Sequence, residues 1–133
     1  MFIITKFRKY LDLFFKISNF IIVILYLYPG SILGWIIYGN LKLQPQLTGD
    51  FLSLSSNHFY TFLILSFIAV INYSNNPKKR NYIFLYLLFI SIILELAHLI
   101  IPNRSFQFED LIGNITGVIV SYILIKFYEF IRR

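Results

Sequence analysis

Long apolar runs separated by short polar connections make up most of the chain. The first covers residues 17–37 and is interrupted by Pro29 and Gly30. Its 21 residues would reach about 30 Å as a helix, the thickness of a bilayer core. Two readings of it compete. One is a single kinked span over 17–37, tolerated in a membrane when neighbours satisfy the freed backbone groups. The other is a span over about 10–28, followed by an interfacial segment over 31–40 carrying Trp35 and Tyr38. In that second reading Asp12 and Lys16 stand four apart on one helix and can pair. Further runs follow at 58–73, 82–101 and 111–130. Pro102 closes the third, and Asp110 is placed to cap the fourth.

The connections differ in character. Residues 39–57 form the longest polar stretch, with Pro45, Gly49 and several serines opposing a continuous helix. Residues 75–81, NNPKKRN, read as a turn with three consecutive basic residues. The loop over 103–109 has only seven residues, so the third and fourth spans must be antiparallel neighbours. The pattern predicts an all-α membrane protein, a single domain over residues 1–133 built as a bundle of four transmembrane helices.

Charge orients that bundle. Of the 12 basic residues, Lys42 and Arg104 fall on one side of four spans. The other ten (Lys6, Arg8, Lys9, Lys16, Lys78, Lys79, Arg80, Lys126, Arg132 and Arg133) fall on the opposite side. The positive-inside rule then puts both termini in the cytoplasm. A net charge of +6 in a soluble protein would point to nucleic acid. Here the charge sits at the ends of apolar runs, so no nucleic-acid partner is expected and lipid headgroups are.

Composition agrees. Hydrophobic residues make up 58% and charged residues 14%, too apolar for a small soluble domain with much exposed surface. Basic residues do precede the first run, as in a signal peptide. No small-x-small cleavage site follows, so the run reads as a retained anchor. There is no cysteine and there are two histidines. No disulfide framework, cysteine nucleophile, metal site or cofactor is expected.

Ionisable residues inside such runs are costly, so they mark a functional site by default. Residues 95–117, ELAHLIIPNRSFQFEDLIGNITG, concentrate them. Ser91, Glu95, His98 and Pro102 share one helical face, as do Asp110, Asn114, Gly117 and Ser121. The seven-residue loop lets the two stripes face each other. Gly113 and Gly117 would admit a close neighbour. In the four-span layout His58 joins them at the same depth, in the outer leaflet. Candidate catalytic residues are Glu95, Asp110 and His58, suited to acid–base work. Candidate ligand-binding residues are Arg104, Asn114 and His98. Each also has a structural reading: a Glu95–Arg104 pair, an Asp110 cap, Asn114 as interhelical glue, Arg104 on lipid phosphate, His98 supporting its neighbours, His58 as an interfacial residue without a role.

Glu95, His98, Pro102, Arg104, Ser105, Phe106, Asp110, Leu111, Asn114 and Gly117, with His58-Phe59 upstream, resemble the VanZ-like family of bacterial membrane proteins. The close similarity covers about residues 95–117, with a weaker one over 54–66. The sequence departs from the family pattern at Leu54 and Ser55, where relatives carry an Asp-Lys pair, and at His98, where Gln is usual. The resemblance implies a small polytopic inner-membrane protein, in a family whose founding member is associated with low-level teicoplanin resistance. Three functions follow as expectations. The cluster binds an anionic lipid or a lipid-linked cell-envelope precursor, or it catalyses a hydrolase or transferase reaction on such a substrate, or it is the lock of a structural membrane subunit.

Overall fold

Helix ends along the chain are set by recognisable local chemistry. The computed structural model describes residues 2–131, and side chains over residues 7–131. Five helices and no strand occur among the described residues: α1 (Phe2–Leu27), α2 (Ile32–Tyr38), α3 (Ser56–Asn72), α4 (Pro77–Ala97) and α5 (Phe108–Ile131). Lys6, Arg132 and Arg133, counted above among the basic residues of one side, lie outside the described side chains.

The apolar run over 17–37 is divided into two helices. α1 stops at Leu27 before Pro29 and Gly30, and α2 starts anew at Ile32. Ser31 caps α2 by accepting the Gly34 amide at 2.9 Å, and Gly39 ends it in the left-handed region at φ 65°. The segment after α2 folds back over it. A Cβ on Gly34 would meet the Leu43 carbonyl oxygen at 1.7 Å, so only glycine fits there.

Residues 75–81 correct a sequence expectation. They are not a turn throughout, because α4 begins at Pro77. Asn76 caps it by accepting the Lys79 amide at 3.0 Å, and Pro77 takes the first-turn place where its missing N–H costs nothing. Lys78, Lys79 and Arg80 therefore ride on the first turn of a helix. The fourth run is corrected too. α5 begins at Phe108, so Asp110 stands inside its first turn rather than at the cap.

α3 is tied to the polar connection before it. The Asp50 carboxylate, not the Ser55 side chain, accepts the Ser56 amide at 3.0 Å. Ser56 and Asn57 also donate to the carbonyls of Thr48 and Pro45. These bonds meet the need of an exposed helix start for partners.

α3 is the centre of the bundle. Phe62, Leu65 and Ala69 are buried against Leu87 and Leu94 of α4, Val118 of α5 and Phe15 of α1. α5 lies closest to it. A Cβ on Gly117 would stand 2.5 Å from the Phe59 carbonyl oxygen, and one on Gly113 2.9 Å from that of Ser55. The small-residue face predicted on α5 thus packs on α3, letting two backbones approach. Outward faces carry Phe14, Phe20, Ile24, Phe89, Ile123 and Phe127 in exposed positions. The stretch Phe7–Leu27 of α1, all of α4 and all of α5 are long and apolar enough to cross a membrane, and α3 is a shorter apolar helix.

The two ends of the bundle differ. At one end Asp12 of α1 accepts the Tyr73 hydroxyl at 2.5 Å and the Asn72 amide at 3.3 Å, and pairs with Lys16 at 2.6 Å. Lys79 lies over the Tyr73 ring, and buried Arg80 pairs with Glu129. At the other end meet the C-terminus of α1, the N-terminus of α3, the C-terminus of α4 and the N-terminus of α5. That end carries the polar cluster.

Candidate functional site

Each polar residue of the cluster comes from a helix end, where packing leaves room for a side chain that a mid-bundle position would exclude. α1 brings Tyr26, α3 His58, α4 Glu95 with His98 at its C-cap, and α5 Asp110 and Asn114. Asn114 is the hub. Its Nδ2 donates to the Ser91 carbonyl at 3.3 Å, which fixes the amide's orientation. Its Oδ1 then faces the Tyr26 hydroxyl, which donates at 2.8 Å, and His58 Nδ1 at 3.1 Å. His58 Nδ1 also lies 3.0 Å from the Tyr26 hydroxyl, so with Tyr26 donating to Asn114 it is the tautomer protonated on Nδ1 that satisfies both contacts. Nε2, on the far side of the ring, lies 3.4 Å from Asp110 Oδ2. Asp110 is also hydrogen-bonded by the Ser55 side chain.

Glu95 is fully buried. Its Oε1 accepts the Gln107 amide at 3.2 Å and lies 3.3 Å from His98 Nδ1. Its Oε2 has no hydrogen-bond partner and stands 3.7 Å from His58 Nδ1. His98 Nε2 donates to the Tyr26 carbonyl at 3.1 Å, and its ring stacks on that of Tyr26 at 5.8 Å. The same tyrosine meets His58 edge-on at 5.2 Å.

Five of the six sequence candidates therefore meet in one network: His58, Glu95, His98, Asp110 and Asn114. Arg104 takes a different place. It forms no ion pair with Glu95 among the described residues. Its Nε and an Nη donate to the carbonyls of Tyr28 and Leu25 at 3.2 and 2.7 Å, where α1 ends and leaves carbonyls free. A cation there also complements the negative end of the helix. Burial lowers the Arg104 pKa from its usual value, against the opposing pull of Tyr26, Glu95 and Asp110. The stripes of α4 and α5 do meet, through Asn114 and Ser91. Tyr26 is the residue that sequence reasoning missed.

Two cavities open at this cluster. A polar one of about 180 Å³ is lined by His58, His98, Arg104 and Asp110, with Lys42 and Ser105 at its wall. An apolar one of about 280 Å³ runs along Ile22, Leu25, Leu33 and Ile37. Ser31, Gln44, His58, His98 and Arg104 line both, so the two adjoin.

The VanZ/LLP1 family model matches residues 5–129, which takes in all five helices but the last residues of α5 and the first of α1. The chain belongs to the VanZ/LLP1 family. No curated protein matches it, and no solved structure does. In this VanZ/LLP1 chain Leu54 and Ser55, which depart from the family pattern as His98 does, sit beside the site. Leu54 closes a tight turn with Phe51, and the Ser55 amide donates to the Glu109 carbonyl at 3.2 Å. Asp50 is engaged as the α3 cap and does not stand in for the acid usual before the histidine. Family membership and the apolar helices together make it a VanZ-like membrane protein.

His58, Glu95 and Asp110 also form a group of potential metal ligands, each offering an atom within 4.8 Å of the others. The expectation of no metal site rested on cysteine count and ligand spacing along the chain. Spacing cannot register ligands delivered by three separate helices.

Proposed function

We propose that this is a four-span inner-membrane protein with both termini in the cytoplasm, whose polar cluster engages an anionic headgroup at the outer leaflet. The ligand class is an anionic lipid or a lipid-linked precursor of the cell envelope. The observation that carries this reading is the adjacency of the polar and the apolar cavity, which share Ser31, Gln44, His58, His98 and Arg104 as their wall. An amphiphile needs that combination: a wet pocket for the head beside an apolar groove for the chain. Lys42 and Arg104 supply positive charge to the polar cavity. Arg104 is suited to phosphate because its fork of donors remains charged even when half buried. The distribution of basic residues supports the orientation, with Lys16, Lys79, Arg80 and Lys126 at the bundle end opposite the cluster.

Native mass spectrometry of the detergent-extracted protein tests the reading. Wild type retains an anionic lipid, Arg104→Ala loses most of it, and Arg104→Lys recovers part. Equal lipid retention in wild type and Arg104→Ala would contradict it. The family resemblance extends the proposal to glycopeptide resistance, for which teicoplanin susceptibility of cells expressing wild type or Arg104→Ala is the matching cellular assay.

A second reading, an intramembrane hydrolase or transferase acting on a lipid-linked substrate, draws on the His58–Asp110 contact facing the polar cavity. His58 would be the general base, oriented through Nδ1 by Asn114. Under that reading Asp110→Asn and Glu95→Gln abolish a cellular phenotype while expression and melting temperature persist.

A further inference from the structure

Beside the His98 Nδ1–Glu95 Oε1 contact at 3.3 Å, hydrogen bonding leaves two features around His58 unbalanced. The first is His58. In the tautomer protonated on Nδ1, which Asn114 and Tyr26 favour, neutral imidazole presents a lone pair from Nε2 toward Asp110 Oδ2 at 3.4 Å. Two acceptors then face each other. The second is Glu95 Oε2, which is fully buried, has no hydrogen-bond partner and points into the same cluster. A proton on His58 Nε2 answers the first and leaves the second. A cation ligated by all three residues answers both, and offsets two carboxylates held together in a place poor in water.

The geometry points to a binding site for one divalent transition-metal ion at His58, Glu95 and Asp110. One ligand atom from each lies within 4.8 Å of the other two. Small side-chain rotations bring these to the roughly 3.4 Å expected between neighbouring ligands with bonds of about 2.0–2.1 Å. The surroundings are those of a metal centre. His58 donates its other ring N–H to Asn114, which fixes tautomer and ring orientation. The second oxygen of Glu95 is held by the Gln107 amide, and Asp110 by Ser55. One imidazole with two carboxylates suits zinc or manganese, whereas calcium and magnesium favour all-oxygen sets.

The test uses the full chain, purified in detergent without added lipid and stripped with a chelator. Isothermal titration with Zn²⁺ and with Mn²⁺ reads the affinity. One ion binds per chain, and Glu95→Gln and Asp110→Asn each weaken it by at least about 10-fold. Glu109→Gln, an exposed acid next to the cluster, leaves the affinity unchanged. The proposal is overturned if wild type binds neither ion at one per chain, or if Glu109→Gln weakens binding as much as Glu95→Gln does. Should the cluster variants fail to fold, wild type alone decides: the spin-echo signal of bound Mn²⁺ must show coupling to an imidazole nitrogen, and its absence rejects the site. Lipid retention and its dependence on Arg104 are measured separately, so loss of either idea leaves the other standing.

Discussion

The Tyr26 hydroxyl donates to Asn114 Oδ1 at 2.8 Å, joining α1 to α5 across 88 residues of sequence. Asn114 at once receives His58 and holds the Ser91 carbonyl, so one amide ties together all four long helices. Asn114→Ala removes three buried hydrogen-bond contacts at once, to the Tyr26 hydroxyl, to His58 Nδ1 and to the Ser91 carbonyl, and leaves Tyr26 and His58 only each other. Each such loss costs about 1–3 kcal/mol. The expected outcome is a markedly lower melting temperature in detergent, with helix content retained below the transition.

The approach of α5 to α3 makes a second prediction. At Gly117 a Cβ would meet two backbone atoms, the Phe59 oxygen at 2.5 Å and the Leu63 nitrogen at 2.9 Å. Backbone cannot turn aside as a side chain does. Gly117→Ala should destabilise by about 1–3 kcal/mol. Gly49→Ala, where a Cβ meets nothing within 4 Å, should leave thermal stability unchanged.

At the opposite end, Asp12 is held by three partners and Lys16 by one. Lys16 is largely exposed, with 66% of its side chain accessible. An exposed ion pair is worth under about 1 kcal/mol. Asp12→Ala also strips the partner from the Tyr73 hydroxyl and the Asn72 amide. Thermal unfolding should therefore show a larger loss for Asp12→Ala than for Lys16→Ala. Equal losses would mean that the α1–α3 contact at this end depends on the ion pair.

Orientation is accessible to labelling. Reporters fused or inserted at Asn76 and at Phe106 should lie on opposite sides of the membrane, with Asn76 cytoplasmic. Equal accessibility of the two removes the four-span layout.

Much of this arrangement is written in the chain, and what is not has identifiable causes. Periodicity places Ser91 and Glu95 on one helical face, and Asn114 and Gly117 on another, because a 3.6-residue repeat needs no tertiary information. The partner of the glycine face is not readable: Gly117 marks close approach, and only packing selects α3. The start of α4 was in reach, since Asn76 followed by Pro77 is a helix-start signal, but the run of basic residues after it resembles a loop. Tyr26 is hidden for another reason. Among 25 Phe and Tyr residues, nothing in the sequence separates one inward hydroxyl from those in the interface. A Glu95–Arg104 pair is one of the readings that the sequence leaves open for Arg104. In space the free carbonyls at the end of α1 compete for it and win, with bonds to Leu25 and Tyr28.

The proposal that the polar cavity takes a headgroup and the adjoining apolar one its acyl chain is tested most directly by photo-cross-linking in native membranes. A photoreactive residue at Thr61, on the groove wall, is compared with one at Ile123, on an exposed outward face. Adducts at Thr61 should be enriched in anionic lipid relative to those at Ile123, and Arg104→Ala should erase the difference. Identical lipid composition at the two positions would contradict the proposed function.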